Sequence, residues 1–498
     1  MKNFLKTTAM PVLSLLLAGS VLYGCYQVVA QTQKTAPPAP NAKPNAARPN
    51  IIVILADDLG YGDISAYPNK EIPTPNLEKL AKSGVLCTQG YASAPVCCPS
   101  RAGLLTGRHQ QRFGMEFNLG PAKRDWENSY GMDVKQITIA DALHKAGYTT
   151  HMIGKWHQGS RPQFHPKRRG FDSFVGILGG ATLYINPDAE GVETGSVEGE
   201  EARKTRGAYK VVRDTTILNN ENEYLTEFWA KEANAVLDQQ KQADKPFFMY
   251  MAFTAPHSPL QATKKYLDRF STIKDKNRRI YCAMVSALDD AVGSIMAKLK
   301  DTGLDKNTLV VFASDNGCAT YTRACSPNSP LKGGKLSHWE GGFREPYIWS
   351  FPGKLPQGVV FDKVCSLMDV FPTAVTLAGG EVPKDRPMDG VDLMPYLMGK
   401  NKTTPHEVLY WRNAFFKTLR QGNYKLYRSV KEDQTFTLLF DLTKDPTETT
   451  NLADKMPDKV KAMIELYDKW DKQMESPRWP SKGYIKFENG GMDMWLPV

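Results

Sequence analysis

The sequence predicts an α/β protein with a largely parallel sheet and a second, smaller domain. From residue 50 onward, short apolar runs alternate with amphipathic segments, as in a chain of strand and helix units. Four apolar runs are expected to be strands, and they cover residues 51–55, 148–153, 247–253 and 309–313. With 498 residues, 41% of them hydrophobic, the chain is long enough to bury one large core and one smaller core.

Helix start and stop signals lie between these strands. Thr74 and Pro75 precede NLEKLAKSG, and Thr138 precedes IADALHKAG, so a helix is expected after each. A longer helix is expected over residues 281–300. Turn-forming residues before position 400 divide a large domain, residues 50–400, from a C-terminal subdomain, residues 401–498. That subdomain has strand-like runs at 408–411, 424–428 and 435–440 and a final helix at 457–474.

The N-terminus has the pattern of an export signal. Residues 1–24 contain Lys2 and Lys6 followed by an apolar stretch that is too short to span a bilayer. The stretch ends in LYGC and resembles the bacterial lipoprotein processing box, which makes Cys25 a lipidation candidate; ordinary cleavage and release is the alternative. Residues 25–49 are rich in Pro, Ala, Gln and Asn and are predicted to be a disordered linker. We therefore expect an exported protein, either periplasmic or a cell-surface lipoprotein with a lipid anchor.

Charge and cysteine content restrict the partners. The formal net charge of +10 favours an anionic partner. Nucleic acid is not expected, because the chain is predicted to be exported and its basic residues form no long block; a sulfated polymer fits both facts. Eight cysteines in so long a chain do not form a disulfide framework. Cys318 and Cys325 are close enough in sequence to bridge, and the sequence leaves this pairing open.

Polar residues follow each of the four predicted strands. They are Asp57 and Asp58, Lys155 and His157, His257, and Asp315 and Asn316. Ligands of open α/β sheets bind beyond the carboxyl ends of the strands, so these side chains are expected to share one crevice. Two adjacent carboxylates repel each other unless a cation intervenes, although Asp-Asp at a strand end is as often a helix cap. Three carboxylates and one amide favour Ca²⁺ or Mg²⁺ over zinc.

The most specific motif is CCPSR at residues 97–101, followed by LTGR at 105–108. It resembles the sulfatase signature C-x-P-x-R, whose first cysteine a maturase oxidises to formylglycine (3-oxoalanine). The proline and arginine spacing selects Cys97 and leaves Cys98 as a bystander. A hydrated aldehyde carries two hydroxyls on one carbon, so that one can attack sulfur and the other can later expel sulfate. The following segment is a predicted helix, whose N-terminus would face the anionic ester.

The resemblance to type I sulfatases implies the remaining roles. Ca²⁺ would be held by Asp57, Asp58, Asp315, Asn316 and the modified Cys97, and Arg101 would hold the formylglycine. Through the matching elements GKWH, PH and GGK, Lys155 and Lys335 would bind sulfate oxygens, and His157 would assist the elimination step. His257 would protonate the leaving alcohol.

A basic and aromatic rim is expected around this crevice. Arg161 and Trp156 lie in or after the GKWH element, while His338 and Arg344 follow Lys335. These residues are predicted to bind neighbouring sulfates or sugar hydroxyls, with Trp156 or Trp339 as a stacking surface. The alternative is ordinary solvated charge.

The resemblance covers nearly the whole mature chain, through the C-terminal LFDLTKDPTETTNLA. It implies an alkaline-phosphatase-like fold: a large mixed sheet sandwiched by helices, and a C-terminal domain built on a four-stranded antiparallel sheet. The expected activity is hydrolysis of sulfuric esters on a sulfated carbohydrate, with an algal polysaccharide such as carrageenan, or its oligosaccharides, as the favoured substrate. The alternatives are a phosphonate or phosphodiester hydrolase of the same superfamily and an inactive carbohydrate-binding surface lipoprotein.

Overall fold

The computed structural model describes residues 48–68, 70–119, 130–195, 210–325, 330–481, 483–489 and 492–497. The predicted signal peptide, Cys25 and almost all of the predicted linker lie outside these residues. Their assignment therefore stays a prediction.

Twenty strands are present in the described residues. They are β1 Asn50–Ala56, β2 Val85–Cys87, β3 Gly90–Tyr91, β4 Thr149–Lys155, β5 Ser173–Ile177, β6 Val192–Thr194, β7 Val212–Arg213, β8 Thr216–Ile217, β9 Phe247–Ala252, β10 Gln261–Thr263, β11 Thr308–Ser314, β12 Tyr347–Ser350, β13 Val359–Phe361, β14 Cys365–Ser366, β15 Val408–Asn413, β16 Phe416–Gln421, β17 Tyr424–Lys431, β18 Gln434–Asp441, β19 Tyr484–Asn489 and β20 Met492–Pro497.

Ten α-helices accompany the strands in the same part of the chain. They are α1 Pro75–Lys82, α2 Cys97–Thr106, α3 Ile139–Lys145, α4 Leu225–Gln240, α5 Lys264–Leu267, α6 Lys276–Thr302, α7 Glu340–Phe343, α8 Val370–Leu377, α9 Met394–Leu397 and α10 Pro457–Asp471. Of these, α6 is long and apolar enough to cross a membrane, but 72% of its most apolar stretch is buried inside the fold.

The main sheet has ten strands in the order β13-β2-β12-β11-β1-β9-β4-β5-β7-β8. Its central strands β11, β1, β9, β4 and β5 run parallel. Towards the two edges, β12 pairs antiparallel with both β11 and β2, and β7 pairs antiparallel with β5. The sheet is therefore mixed, with a parallel centre, which confirms the predicted fold class.

Both faces of this sheet are covered, as the side chains of β1 illustrate. Ile52 and Ile54 belong to one apolar cluster, which also contains the core-facing residues of α4 and α6. Ile51, Val53 and Leu55 belong to a second cluster on the opposite face, which contains residues of α2, α3 and α8. Successive side chains of a strand point to opposite faces, so a wholly apolar strand is explained by helices on both sides.

A separate four-stranded antiparallel sheet, β15-β16-β17-β18, forms the centre of the C-terminal part, as predicted. One face packs on α10, where Leu419, Leu426 and Leu439 meet Met463 and Trp470. The other face carries a different cluster, in which Phe416, Tyr427 and Phe440 meet Val96 and Leu336. Val96 and Leu336 are the neighbours of Cys97 and Lys335, so this sheet lies directly behind two predicted catalytic segments.

The cysteine pair that the sequence left open is not bridged. Cys318 and Cys325 are both thiols in the structure, and they interact with each other through a hydrogen bond.

Candidate active site

The parallel centre of the sheet brings four strand ends together. Strand β1 lies between β11 and β9, and Ala56 is in register with Ser314, so that Asp57 and Asp315 leave the sheet side by side. The backbone N–H of Asp58 donates to Asp315 Oδ1 at 3.2 Å. Asp58 has a φ of 62°, in the left-handed region that non-glycine residues rarely adopt. Such conformations are concentrated at functional sites.

Cys97 is the first residue of α2 and lies beside this carboxylate pair. All ten residues of the helix are buried, and its apolar side chains belong to the cluster on one face of the main sheet that also contains residues of α3 and α8. The Cys97 Sγ atom is 3.6 Å from Asp58 Oδ1 and marks the side chain that the maturase would change. The helix N-terminus therefore lies beside the carboxylates, where an anion would meet the positive end of the helix dipole. The Cys98 N–H of this first turn donates to Asn118 Oδ1 at 3.0 Å.

Three cations neutralise the buried carboxylates. Arg101 Nε lies 2.7 Å from Asp315 Oδ2, and its NH2 lies 3.4 Å from Asp57 Oδ1. Lys155 Nζ lies 2.7 Å from Asp57 Oδ2. On the other side, Lys335 Nζ lies 2.8 Å from Asp58. Buried charges require such partners, since a single unpaired charge in this interior would be strongly unfavourable.

Two histidines complete the group. His257 Nε2 is 3.6 Å from Asp58 Oδ2, so this imidazole points at the same carboxylate as Lys335. His157 is buried and also has left-handed backbone, with a φ of 56°. Cys97, Arg101, Lys155, Lys335 and His257 thus lie around the carboxylates of Asp57, Asp58 and Asp315. His157 follows two residues after the end of β4.

Burial shifts the pKa values of these groups. It raises the pKa of Asp57 to about 7, even though Lys155 and Arg101 act in the opposite direction. Burial also raises the pKa of the Cys97 thiol well above its ordinary value. For Lys335 burial alone would lower the pKa, but Asp58 and Cys97 raise it well above the usual range, so the ammonium keeps its charge.

The donor atoms fit a hard cation. Ligand atoms of Asp57, Asp58, Cys97 and His257 all lie within 4.8 Å of one another. Asp57 Oδ1 and Asn316 Oδ1 are buried without a hydrogen-bond partner among the described residues, whereas Asn316 Nδ2 donates to Asp58 Oδ1 at 2.8 Å. Carboxylate and amide oxygens are the ligands that Ca²⁺ and Mg²⁺ prefer, and these two oxygens make no hydrogen bond, although Arg101 Nη2 is 3.4 Å from Asp57 Oδ1. His257, which was not in the predicted ligand set, joins the cluster.

Most residues of the predicted substrate rim are buried and have internal hydrogen-bond partners. Trp156 is fully buried and donates from Nε1 to the Phe164 carbonyl at 2.8 Å. His338 is fully buried too, with Nδ1 2.8 Å from Thr418 Oγ1. Arg344 Nε donates to the Thr88 carbonyl at 2.8 Å, and its side chain is 15% exposed.

Trp156, His338 and Trp339 are thus buried, and Arg344 is largely buried. Arg161 is partly exposed. That these residues contact the substrate stays a prediction.

Two residues near the histidines were missed. A Cβ atom on Gly180 would lie 2.7 Å from His157 Nε2, so the backbone of this loop contacts the imidazole directly. Tyr184 Oη donates to the His257 carbonyl at 2.8 Å. Only Gly180 had a clear signal in the sequence: it belongs to the pair Gly179-Gly180, one residue beyond the end of β5, and glycine often marks a close approach of the backbone.

Comparison with known proteins agrees with this geometry. Residues 49–380 match the Sulfatase family, and residues 335–476 match the C-terminal part of N-sulphoglucosamine sulphohydrolase. The chain therefore belongs to the sulfatase family and is a formylglycine-type sulfatase, a hydrolase of sulfuric esters.

Individual relatives are similar along most of their length. The chain is 34% identical to N-acetylgalactosamine-6-sulfatase of Canis lupus familiaris over 399 residues, which is 76% of this chain and 71% of that protein. It is 34% identical to arylsulfatase D of Homo sapiens, over 74% of this chain and 71% of that protein. The solved structure of Ps i-CgsB in complex with k-i-k-neocarrahexaose superposes with a TM-score of 0.79 at 33% identity, covering 87% of this chain and 95% of that one.

Proposed function

We propose that this protein is an exported sulfatase that removes sulfate from a galactan such as carrageenan, or from its oligosaccharides, with formylglycine at position 97 and Ca²⁺. The observation that carries the proposal is the position of Cys97. It begins a buried helix, 3.6 Å from Asp58, and Lys155, Lys335 and His257 lie close to it. A conventional cysteine nucleophile would need a lowered pKa, but burial raises the pKa of this thiol, which favours a modified side chain.

The residues of the chain would divide the work as follows. Lys155 and Lys335 would hold two sulfate oxygens and offset the negative charge of the transition state. His257 would donate a proton to the leaving alcohol, and His157 would accept a proton from the formylglycine hydroxyl in the elimination step. Arg101 would fix the orientation of Asp57 and Asp315, and it would hold the formylglycine.

The oxygens of Asp57, Asp58, Asp315 and Asn316 would hold the divalent ion. When bound, this ion supplies Lewis-acid polarisation of a sulfate oxygen. Ca²⁺ is favoured over zinc because the predicted set consists of oxygens.

Two relatives support a galacto-configured sugar. One is a structure with a bound carrageenan oligosaccharide, and the other acts, by its name, on N-acetylgalactosamine 6-sulfate. The net charge of +10 suits a polyanion. Export is supported by the sequence of residues 1–24, and a maturase would be the partner that modifies Cys97.

The test is a substrate panel with protein produced alongside a maturase and supplied with Ca²⁺. Defined carrageenan oligosaccharides, N-acetylgalactosamine 6-sulfate, an aryl sulfate, an aryl phosphate and an aryl phosphonate are compared for release of the anion. We expect sulfate release from the carrageenan oligosaccharides with the highest kcat/KM.

The other substrates of the panel separate the alternatives. A higher kcat/KM for N-acetylgalactosamine 6-sulfate would show that the substrate is an animal-type glycan and not a galactan. Preference for the phosphonate would favour the phosphonate hydrolase, and sugar binding without turnover would favour the inactive binding protein.

A further inference from the structure

Lys335 is carried by a closed loop. The N–H of Gly341 donates to the Lys332 carbonyl at 2.8 Å and joins the two ends of residues 332–341. Inside the loop, Lys335 N–H donates to the Cys318 carbonyl at 2.9 Å, and Leu336 N–H donates to the Pro95 carbonyl at 2.8 Å. One side of the loop is therefore bonded to the segments that follow Asn316 and precede Cys97.

The other side of the loop is bonded to the C-terminal sheet by a buried ion cluster, which consists of Glu340, Lys425 and Glu448. Lys425 Nζ lies 3.1 Å from Glu340 Oε1 and 2.7 Å from Glu448 Oε1, and all three side chains are fully buried. The cluster joins α7, at the end of the loop, to β17 and to the turn after β18.

Glu448 contacts both ends of the loop. Its Oε2 accepts the backbone N–H of Glu340 at 2.6 Å, and its carbonyl accepts a hydrogen bond from Lys332 Nζ at 3.3 Å. Its own backbone is left-handed, with a φ of 54°, so the chain adopts an unfavourable conformation to place this carboxylate. Glu448 belongs to the segment LFDLTKDPTETTNLA, which contributes no residue to the proposed catalytic site.

Stability alone gives a weak reason for such a cluster. Removing three charges from water is costly, and apolar residues of similar volume often stabilise a fold as well or better. Hydrogen-bonded charges, however, fix distance and direction, which apolar contacts do not. An ion cluster at the base of the 332–341 loop is therefore suited to fix the orientation of that loop.

We infer that Lys425 and Glu448 are positioning residues of the sulfatase reaction, which hold the 332–341 loop so that the Lys335 ammonium stays beside Asp58. This inference rests on the role proposed above for Lys335. Displacement of a catalytic group by about 1 Å can lower activity about 100-fold.

The experiment is a double-mutant cycle on kcat/KM for a sulfate ester that the wild-type enzyme hydrolyses, with activity normalised to the fraction of chains modified at Cys97. Lys425→Met and Lys335→Ala are made singly and together. We expect Lys425→Met to lower kcat/KM about 100-fold and to add less than about 3-fold to the loss in Lys335→Ala, because both changes remove one interaction.

Two further variants keep the test decisive. Glu448→Gln retains an oxygen for the Glu340 N–H but removes the charge. If Lys425→Met does not fold, Glu448→Gln replaces it in the double-mutant cycle with Lys335→Ala. Lys417→Met is the matched control, because Lys417 lies on β16 of the same sheet and pairs with Asp471 at 2.9 Å, away from the loop; its kcat/KM should stay within about 2-fold of wild type.

Three results would overturn the inference. If the losses in Lys425→Met and Lys335→Ala multiply, or if both Lys425→Met and Glu448→Gln keep wild-type kcat/KM, the cluster has no positioning role, while the proposed function stands. If Lys335→Ala is itself fully active, the proposed role of Lys335 fails and the inference fails with it.

Discussion

At the scale of single residues, the crevice is controlled by how carboxylates and cations are paired. Asp57 contacts Lys155 at 2.7 Å, and Asp58 contacts Lys335 at the nearly equal distance of 2.8 Å. In this arrangement each lysine is paired with one aspartate at the edge of the sheet where an anion would bind. The two lysines thus neutralise the carboxylates and also attract the negatively charged sulfate.

Replacement of Lys155 tests this pairing. Lys155→Ala should lower kcat/KM for a sulfate ester by about 100- to 1,000-fold, the range for removal of one group that stabilises transition-state charge. Steady-state kinetics measures the change, and Lys82→Ala, at a surface lysine that is 77% exposed, is the control. A Lys155→Ala enzyme within a few-fold of wild type would contradict the proposed role.

Single residues also show the limit of the sequence interpretation. Asp57, Lys155 and Asp315 could be predicted to meet because they follow strands, and strand ends converge in a parallel sheet. Trp156 and His338 could not be assigned to the interior, because residue type does not reveal which side of a loop faces the core. His338 is buried through contacts with Thr418 and Tyr427, which are about 80 residues away in sequence and invisible to local pattern.

At the scale of elements, the loop after β5 determines the space around His157. Gly180 has no side chain, and its backbone approaches the imidazole so closely that an added Cβ would lie 2.7 Å from Nε2. The loop therefore limits the positions that the ring can take.

Gly180→Ala should displace His157 and lower kcat by about 10- to 100-fold, with little change in the free energy of unfolding. Kinetics and urea unfolding of the same preparation separate the two effects. Gly483→Ala is the matched control, because an added Cβ there meets no atom within 4 Å. Equal kcat values for the two variants would show that the contact has no influence on the reaction.

Elements were predictable where their signals are local. The helix that the sequence placed after Thr74 is α1, Pro75–Lys82, and the predicted final helix is α10, Pro457–Asp471. The strand β16, Phe416–Gln421, was missed as an apolar run because FKTLRQ contains only two large apolar residues, Phe416 and Leu419. It was implied by the resemblance to sulfatases, whose small domain has four strands.

At the scale of the whole molecule, several histidines are buried in neutral form. Burial lowers the pKa of His109 to about 4, of His151 to about 4 and of His338 to about 3. In the unfolded chain these groups take up protons below pH 6.5, while the folded protein does not. Each therefore reduces stability as the pH falls from 6.5 towards its folded-state pKa.

His109→Phe isolates this effect from the carboxylates, which titrate in the same range. Wild type loses this stability as the pH falls, and the variant does not. The free energy of unfolding of the variant should therefore rise relative to that of wild type by about 1.4 kcal/mol for each unit that the pH falls between pH 6 and pH 4. Urea unfolding at several pH values measures the difference. A difference that is constant across this range would show that His109 is not kept neutral by the fold.

The central claim, that a formylglycine at position 97 hydrolyses the sulfate ester, also belongs to the scale of the whole molecule. Activity requires the modified residue, the metal ion and the folded sheet at the same time. The measurement compares sulfate release by wild type, Cys97→Ala and Cys98→Ala, each produced with a maturase and supplied with Ca²⁺. Mass spectrometry of the peptide containing residue 97 reports conversion of the thiol to the aldehyde. The account predicts conversion and activity in wild type and Cys98→Ala and loss of both in Cys97→Ala; full activity in Cys97→Ala would contradict it.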